Sequence, residues 1–503
     1  MNIKEAKQEV QHAVRAYLAK DSYGRYRIEK VQQRPLLLIG APGLGKTAIM
    51  AQIAEEMEIG LIAYSMTHHT RQSAIGLPYI EEHTYEGQAF HITEYTMSEI
   101  VASIYRYMEQ TGLKEGILFL DEINCISETL TPMMLQFLQY KTFGNHPIPE
   151  GWVIVCAGNP PEYNKSVREF DVVTLDRVKK INIEPDYPVW REYALERALH
   201  PAVITYLDAR KKHFYSIENT NEGKSFVTAR GWEDLSRMLL IYEDLEIEVT
   251  ERLIGQYVQN DKIAKDFSIY LALFGKYRSD YHIADILEGR YDQSIRSRAA
   301  ASRFDERLSL LGLLLDALVT ELRAALAEED VIGQLQVILR DVKAESAGER
   351  SLIDILSGKI TASQTELEAL RRRGRSRRRE DLQQEVIVRL EEFRRILAGK
   401  GLTDNKKSFA ALKKAYEASV GSMEAEIDHV RAMIDHLFMF VEDAYGKDKE
   451  MLVVLSELTA RPDTARFLAS YGSDKYFENN EAMLFYQREV DILGQLDELK
   501  DEV

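Results

Sequence analysis

Cysteine is scarce in this sequence, with two residues among 503. Cys125 and Cys156 stand in apolar segments that predict buried strands or strand ends, where a reduced thiol behaves as a small hydrophobic side chain. The sequence therefore predicts neither a disulfide framework nor a zinc site. His68 and His69 are adjacent, but no further Cys or His follows at metal-ligand spacing, so no metal other than Mg²⁺ is expected.

Long hydrophobic runs are also missing. The longest, such as residues 308–319, is interrupted by Asp316 well before the length that spans a membrane. The first residues, MNIKEAKQEVQ, are charged from the fourth position and lack the apolar core of a secretory signal. These features predict a cytoplasmic protein with no membrane insertion.

Positive charge is in deficit, because 64 Lys and Arg stand against 81 Asp and Glu, for a formal net charge of −17. Such a surface repels nucleic acid and anionic membranes, so nucleic acid is an unlikely partner. The exception is Arg371–Arg379, with seven arginines in nine residues. Because no aromatic residue interrupts it for base stacking, the run predicts an exposed charged segment. Binding of an acidic protein, binding of nucleic acid and an intramolecular tether remain alternatives.

The pattern along the chain changes twice, and 503 residues exceed what one hydrophobic core usually organises. Residues 1–185 alternate short β-like runs with helical patterns, which predicts an α/β core with a parallel sheet. Residues 186–290 have few strand signals and predict a helical lid. In residues 291–503, apolar side chains recur at three- and four-residue spacing, which predicts an all-α extension, a helical bundle or coiled coil.

The residues Gly40-Ala41-Pro42-Gly43-Leu44-Gly45-Lys46-Thr47 fit the phosphate-binding pattern GxxxxGK[ST], with a predicted strand before it and a helix after it. Glycines let successive backbone N–H groups and the positive helix end face an anion. Lys46 can bridge the β- and γ-phosphates and Thr47 can bind Mg²⁺. The segment predicts a nucleotide site.

A second acidic site is expected with such a loop, because Mg²⁺ takes hard oxygen ligands and hydrolysis needs an oriented water. Asp121 and Glu122 follow the apolar run Ile117–Leu120, so they emerge at the carboxyl end of a predicted buried strand. Asp121 is expected to hold the metal and Glu122 the attacking water.

These motifs resemble the AAA+ ATPases and, among them, the MoxR-like group, over roughly the first 290 residues. The resemblance assigns Asp121–Asn124 to an extended Walker B motif and Asn159, in CAGNPPEYN, to sensor 1. It also assigns Arg177 to the arginine finger, with Arg168 as the competing choice, and Arg230 to sensor 2. Arginine suits these roles because its planar charge can neutralise phosphoryl oxygens.

The resemblance implies an ATP- and Mg²⁺-dependent ATPase that forms a ring, in this family often a hexamer. Such proteins act as chaperones or remodelling ATPases on protein partners, including proteins with a von Willebrand A domain. ATP is favoured over GTP because Asn164–Val167 lacks the aspartate of the guanine signature. The alternative is a nucleic-acid-directed motor or loader that shares the core.

Residues 67–98 depart from a plain nucleotide-binding core and predict an inserted hairpin. In the related ATPases, loops of this region face the ring pore, which makes Tyr79, Tyr85 and Phe90 candidate substrate contacts. Packing within the hairpin is the alternative role for these aromatic residues. The segment Thr96–Glu99 predicts a capping box that opens the next helix.

Overall fold

The computed structural model describes residues 1–68, 76–85, 88–127, 130–143, 146–163, 167, 170–220, 223–346, 350–373, 377–400 and 404–481. In it the chain divides into two compact units. The first holds Met1–Trp190 together with Thr228–Gly231. The second holds Arg191–Val227 and the described residues from Trp232 onward.

A five-stranded parallel sheet is the centre of the first unit, with the strand order β2-β5-β8-β1-β9. Its strands are β1 (Leu36–Gly40), β2 (Gly60–Ser65), β5 (Gly116–Asp121), β8 (Trp152–Gly158) and β9 (Lys179–Ile183). Two antiparallel ribbons accompany it, β3 (Pro78–Tyr85) with β4 (Gln88–Tyr95) and β6 (Thr142–Phe143) with β7 (His146–Pro147).

Helices cover this sheet. They are α1 (Ile3–Leu18), α2 (Lys46–Glu56), α3 (Glu99–Thr111), α4 (Thr131–Tyr140) and α5 (Val172–Asp176). All seven residues of β8 are buried, as a central strand covered on both faces requires. Apolar residues of β1, β5 and β8 join those of α3 and α4 in one core. The parallel α/β core predicted from the alternating pattern is therefore confirmed.

From Tyr187 onward the described chain is mainly helical. The helices are α6 (Tyr187–Glu196), α7 (Pro201–Ala209), α8 (Ala229–Asp244), α9 (Glu251–Tyr257), α10 (Asp261–Tyr281), α11 (Ile283–Leu287), α12 (Gln293–Ala301), α13 (Phe304–Glu345), α14 (Leu352–Arg373), α15 (Arg377–Lys400), α16 (Asn405–Tyr445), α17 (Lys449–Ala460) and α18 (Pro462–Tyr471). A search of the described helices finds none with the length and apolar character needed to cross a membrane.

The long helix α13 organises the second unit. It packs against α7, α10, α15, α16, α17 and α18, among others. Its leucines at 311, 315, 318 and 322 are buried, and so are Ile427, Val430, Ile434, Leu437 and Val441 of α16. The spacing of these residues thus predicted two helices correctly, and an all-helical C-terminal region is confirmed.

Three local features differ from the sequence predictions. A hairpin, β10 (Ser216–Thr220) with β11 (Gly223–Val227), interrupts the stretch whose pattern is helical. Cys125 lies in a 3₁₀ turn instead of a strand, whereas Cys156 is fully buried in β8. The predicted capping box at Thr96–Glu99 does not form: Ser98 is the N-cap of α3 and makes no side-chain capping hydrogen bond, and Thr96 Oγ1 accepts from Leu77 N at 2.9 Å.

Lys141 is a lysine buried in the first unit, with 1% of its surface exposed. It follows α4, and its Nζ donates to the carbonyl oxygen of Lys30 at 2.5 Å. Burial, with a smaller contribution from the charge of Lys30, lowers the pKa of Lys141 to about 7. An unfolded lysine has a pKa of about 10.4. Between these values the unfolded chain binds the additional proton, so the free energy of unfolding rises with pH.

Replacing Lys141 by Met should therefore remove part of this pH dependence. Parent and variant are compared by denaturant unfolding between pH 7 and 10. The free energy of unfolding of the variant minus that of the parent should fall as pH rises, by up to about 1.4 kcal/mol per pH unit. The reason is that Lys141 in the folded parent loses its proton over this range, so the parent gains stability and the variant does not. Lys114→Met, at an exposed lysine, is the control and should follow the parent. A constant Lys141→Met difference would contradict the prediction.

Candidate functional site

The strands β1, β5 and β8 end side by side at one edge of the sheet. The register pairs Ile39 with Gly158 and Leu120 with Cys156. The segments that follow these strands therefore emerge next to one another. Parallel α/β sheets place ligands at this carboxyl edge. The proposed loop Gly40–Thr47, the acidic pair and Asn159 all lie here.

The loop between β1 and α2 depends on its glycines. A Cβ atom on Gly40 would lie 2.7 Å from the carbonyl oxygen of Ile183, closer than real contacts allow. Gly43 and Gly45 have φ angles of +77° and +87°, which favour glycine. Helix α2 begins directly afterwards, at Lys46, so its positive end borders the loop. The loop has the backbone that a phosphate site requires.

Lys46 occupies the centre of this edge and is buried. Its Nζ donates to the carbonyl oxygens of Gly40 at 2.7 Å and Ala41 at 2.9 Å, and to Asn159 Oδ1 at 2.9 Å. Burial lowers the pKa of Lys46 to about 8, Asp121 opposes this effect and Arg230 adds to it. A phosphate in the loop would offset the burial cost, because it would supply an anionic partner.

Thr47 and Asp121 meet beside Lys46. The Thr47 hydroxyl donates to Asp121 Oδ2 at 2.7 Å, and Asp121 Oδ1 accepts from the Glu122 backbone N–H at 2.9 Å. A hydroxyl and a carboxylate are the hard oxygen donors that Mg²⁺ binds together with phosphate oxygens. Both oxygens lie within reach of one ion, so this pair fits a magnesium site.

Glu122 is held by two hydroxyl groups that the sequence patterns did not single out. Ser65 Oγ donates to Glu122 Oε2 at 3.0 Å and Thr67 Oγ1 donates to the same oxygen at 3.2 Å. Ser65 pairs with Asp121 in the register of β2 with β5, which places it beside the acidic pair. The backbone of Glu122 is left-handed, with φ of +55°. Knowing that β2 neighbours β5 would have identified Ser65.

Asn124, the last residue of the extended Walker B motif, positions Asn159, a contact that the sequence did not predict. It is buried, and its Nδ2 donates to the carbonyl oxygen of Asn159 at 2.7 Å. A Cβ atom on Gly158 would lie 2.5 Å from Asn124 Oδ1, so glycine is needed where the two segments meet. Asn124 thus fixes the backbone of Asn159, while the side chain of Asn159 accepts a hydrogen bond from Lys46.

The two predicted arginines lie in different places. A Cβ atom on Gly43 would lie 3.4 Å from Arg230 Cβ, so Arg230, at the start of α8, borders the loop of its own chain. Thr228 caps this helix by accepting from Gly231 N at 3.1 Å. Arg177 comes two residues before β9, whose first residue pairs with Leu36 at the start of β1. It therefore lies at the opposite edge of the sheet, about 13 Å or more from the loop along the strands.

Several predicted residues fall wholly or partly outside the part of the chain that the structure describes. Arg168 and His69 belong to this group, as do the side chains of His68 and Tyr85 and part of the run Arg371–Arg379. The structure therefore leaves the choice between Arg168 and Arg177 as it was.

Removing the amide of Asn124 should impair catalysis more than nucleotide binding. Asn124→Ala frees the backbone at Asn159, and misplacement of a catalytic group by about 1 Å can cost up to about 100-fold in rate. We expect kcat for ATP hydrolysis to fall at least about tenfold with KM nearly unchanged, measured by steady-state phosphate release. Cys125→Ala, in the same 3₁₀ turn, is the matched control and should keep the parental kcat. Parental kcat in Asn124→Ala would show that Asn159 needs no such support.

A family model matches the part of the chain that contains this site. The family model described as "ATPase family associated with various cellular activities (AAA)" matches residues 36–170. No curated protein sequence matches the chain significantly. Among solved structures, three mutants of Thermotoga maritima RuvB are similar, with identities of 15%, 16% and 15% and TM-scores of 0.29, 0.27 and 0.27. They cover 51%, 53% and 52% of this chain and 69% of each of their own.

The matched range begins with β1 and includes the loop, the acidic pair and Asn159. Residues 36–170 thus form a domain of the nucleotide-hydrolysing AAA type, and the chain carries an AAA ATPase domain.

Proposed function

We propose that this protein is a MoxR-like AAA+ ATPase that hydrolyses ATP with Mg²⁺ and, as a hexameric ring, remodels a protein partner. The observation that carries the proposal is the joint placement of Lys46, the Thr47–Asp121 pair and Glu122 at one sheet edge of an AAA domain. The division into a core at 1–185, a lid at 186–290 and a helical extension at 291–503 is part of this proposal.

The phosphates of ATP would occupy the loop Gly40–Thr47. The backbone N–H groups of the loop and the start of α2 face the anion, and Lys46 turns from its carbonyl partners towards the β- and γ-phosphates. Arg230 stands beside the same loop and adds a permanent positive charge. Thr47 and Asp121 would hold Mg²⁺, which when bound neutralises charge on the β- and γ-phosphate oxygens.

Glu122 would orient the attacking water. Ser65 and Thr67 both bind Oε2, so the carboxylate is fixed while it keeps lone pairs for a water molecule. Asn159 would position the same water or the γ-phosphate, because Asn124 and Lys46 fix it in the site. These contacts support hydrolysis as the reaction.

The position of Arg177 supports assembly. An arginine at the opposite sheet edge is poorly placed to reach its own loop, whereas a neighbouring subunit could present its loop to it. The resemblance to AAA+ proteins, whose active sites lie at subunit interfaces, supports the same arrangement. A ring in which Arg177 completes the next site is therefore the proposed form.

The ribbon of β3 and β4 supports a protein partner. Tyr79 and Phe90 lie on the same face of this ribbon, with 44% and 47% of their surfaces exposed, and Ile80 is 76% exposed on the other face. Exposed aromatic side chains on a ribbon are suited to grip a polypeptide. The excess of acidic residues weighs against nucleic acid.

Glu122→Gln should separate ATP binding from hydrolysis. The amide keeps the shape of the side chain but cannot act as a base, so turnover should fall at least about 100-fold while ATP affinity stays within a fewfold of the parent. Fluorescent-nucleotide titration measures binding, and phosphate release measures turnover. Hydrolysis at the parental rate would assign the base to another residue.

The ATP-bound Glu122→Gln protein can also test the partner class. A protein partner cross-linked to it in ATP should be lost when Tyr79 and Phe90 are replaced by Ser. Replacing Glu82 by Ser, on the opposite face of the ribbon, should preserve the cross-link. Stimulation of the parental ATPase by DNA or RNA, abolished by neutralising the run Arg371–Arg379, would instead support the nucleic-acid alternative.

Arg177→Ala should lower ATP turnover by ~10³-fold or more, because an arginine finger contributes ~10³–10⁵ in rate. Loss of an exposed ion pair costs at most about 1 kcal/mol, which is less than tenfold. The control is Arg25→Ala, which removes the exposed pair with Asp21. A loss below tenfold would make Arg168 the leading candidate.

Mixing subunits tests whether Arg177 acts on its neighbour. Arg177→Ala and Lys46→Ala subunits are each inactive alone, but a mixed ring pairs some intact loops with intact fingers. Partial recovery of ATPase activity on mixing is therefore expected. Absence of recovery in rings shown to be mixed would place the action of Arg177 within its own subunit.

A further inference from the structure

A cavity of about 70 Å³ lies within the second unit, between α6, α7, α13 and α17. Its apolar wall includes Leu199, Ile204, Leu311, Leu315 and Val319. Protein interiors are normally packed as densely as organic crystals, so an open space with charged groups in its wall is unusual. It lies outside the AAA domain, and the hydrolysis described above does not use it.

Two arginines of the wall each donate hydrogen bonds from both Nε and Nη2. Arg191 Nε donates to Asp208 Oδ1 at 2.7 Å, and its Nη2 donates to Glu457. Arg323 Nε donates to Asp463 Oδ2 at 2.7 Å and its Nη2 donates to the carbonyl oxygen of Leu195 at 2.8 Å. The hydrogen bonds of these two arginines are made within the protein, so they give no reason to expect a ligand.

Two other groups of the wall are not satisfied. Arg461 is 9% exposed and its buried Nε has no hydrogen-bond acceptor, with the nearest carboxylate, Glu457, 3.6 Å from Nη2. Asp316 lies on α13, and its carboxylate forms no hydrogen bond with another described residue. Burial raises the pKa of the Asp316 carboxyl group. A buried donor without an acceptor is costly, and a ligand that also binds the Asp316 carboxylate could satisfy it.

The surrounding charges select a neutral ligand. Asp316 already experiences the positive charges of Arg461, Arg278 and Arg323, so a further cation is disfavoured. An anion would face Asp316 together with Asp208 and Glu457, which also line the cavity. A carboxamide or hydroxyl group carries a donor and an acceptor without net charge.

We propose that this cavity binds a small neutral molecule with a carboxamide or hydroxyl end and a branched aliphatic body. The polar end lies between Asp316 and Arg461, and the body packs against the leucines of α13. About 10–15 Å³ is needed for each water-sized group, so the cavity of about 70 Å³ holds about five to seven non-hydrogen atoms.

Three molecules of equal shape test the proposal on the full chain: isobutyramide, isobutyrate and isobutyramidinium. Saturation-transfer NMR detects binding, and a titration gives Kd. Isobutyramide should bind in roughly the millimolar range, as six atoms allow, and each ion should bind at least about tenfold more weakly. Absence of isobutyramide binding, or tighter binding of either ion, would overturn the proposal.

Variants show whether binding occurs in this cavity. Val453→Trp fills the space and should abolish isobutyramide binding, whereas Val337→Trp, at an exposed position of α13, should leave it unchanged. Asp316→Leu removes the polar partner and should weaken binding at least tenfold, whereas Asp316→Asn should retain it. Circular dichroism checks that each variant is folded. If Val453→Trp is unfolded, the comparison of Asp316→Leu with Asp316→Asn decides whether binding occurs in this cavity. Binding that Asp316→Leu leaves unchanged would place the molecule elsewhere and refute the assignment.

Discussion

The ammonium group of Lys46 is the interaction on which the candidate nucleotide site depends. Its three acceptors come from the end of β1, the loop and the end of β8, so one buried charge joins segments that are more than 100 residues apart in the chain. Removing that charge from water costs free energy, and the hydrogen bonds to the oxygens of Gly40, Ala41 and Asn159 offset only part of this desolvation cost. The site therefore favours an anion, because a bound phosphate would supply the negative charge that the neutral acceptors of Lys46 lack.

The same principle explains how the surrounding residues are arranged. Asp121 and Glu122 follow one strand, but different partners hold them: the Thr47 hydroxyl holds the first, and the hydroxyls of Ser65 and Thr67 hold the second. Each carboxylate is thus oriented by neutral donors without a direct ion pair to Lys46. This keeps two adjacent anionic groups available for separate tasks, metal binding and water activation.

Local chemistry explains how much of this could be predicted from the sequence. The loop was predictable because the glycine conformations, Lys46 and Thr47 are needed within eight consecutive positions, and the strands were predictable because buried parallel strands are apolar throughout. Strand order depends on contacts between distant segments. The roles of Ser65, Thr67 and Asn124 therefore became visible only when β2, β5 and β8 were seen side by side. The hairpin β10–β11 was missed because strands of five residues leave a weak periodic signal.

The close approach of Gly158 to Asn124 also constrains how the site can change over evolutionary time. A methyl group at position 158 would occupy the space of the Asn124 carboxamide, so substitutions at the two positions are not independent. A larger residue at 158 is tolerable only after position 124 has become smaller, and that first step already removes the support of Asn159. Among related sequences the two positions should consequently covary, with a glycine wherever the asparagine is kept.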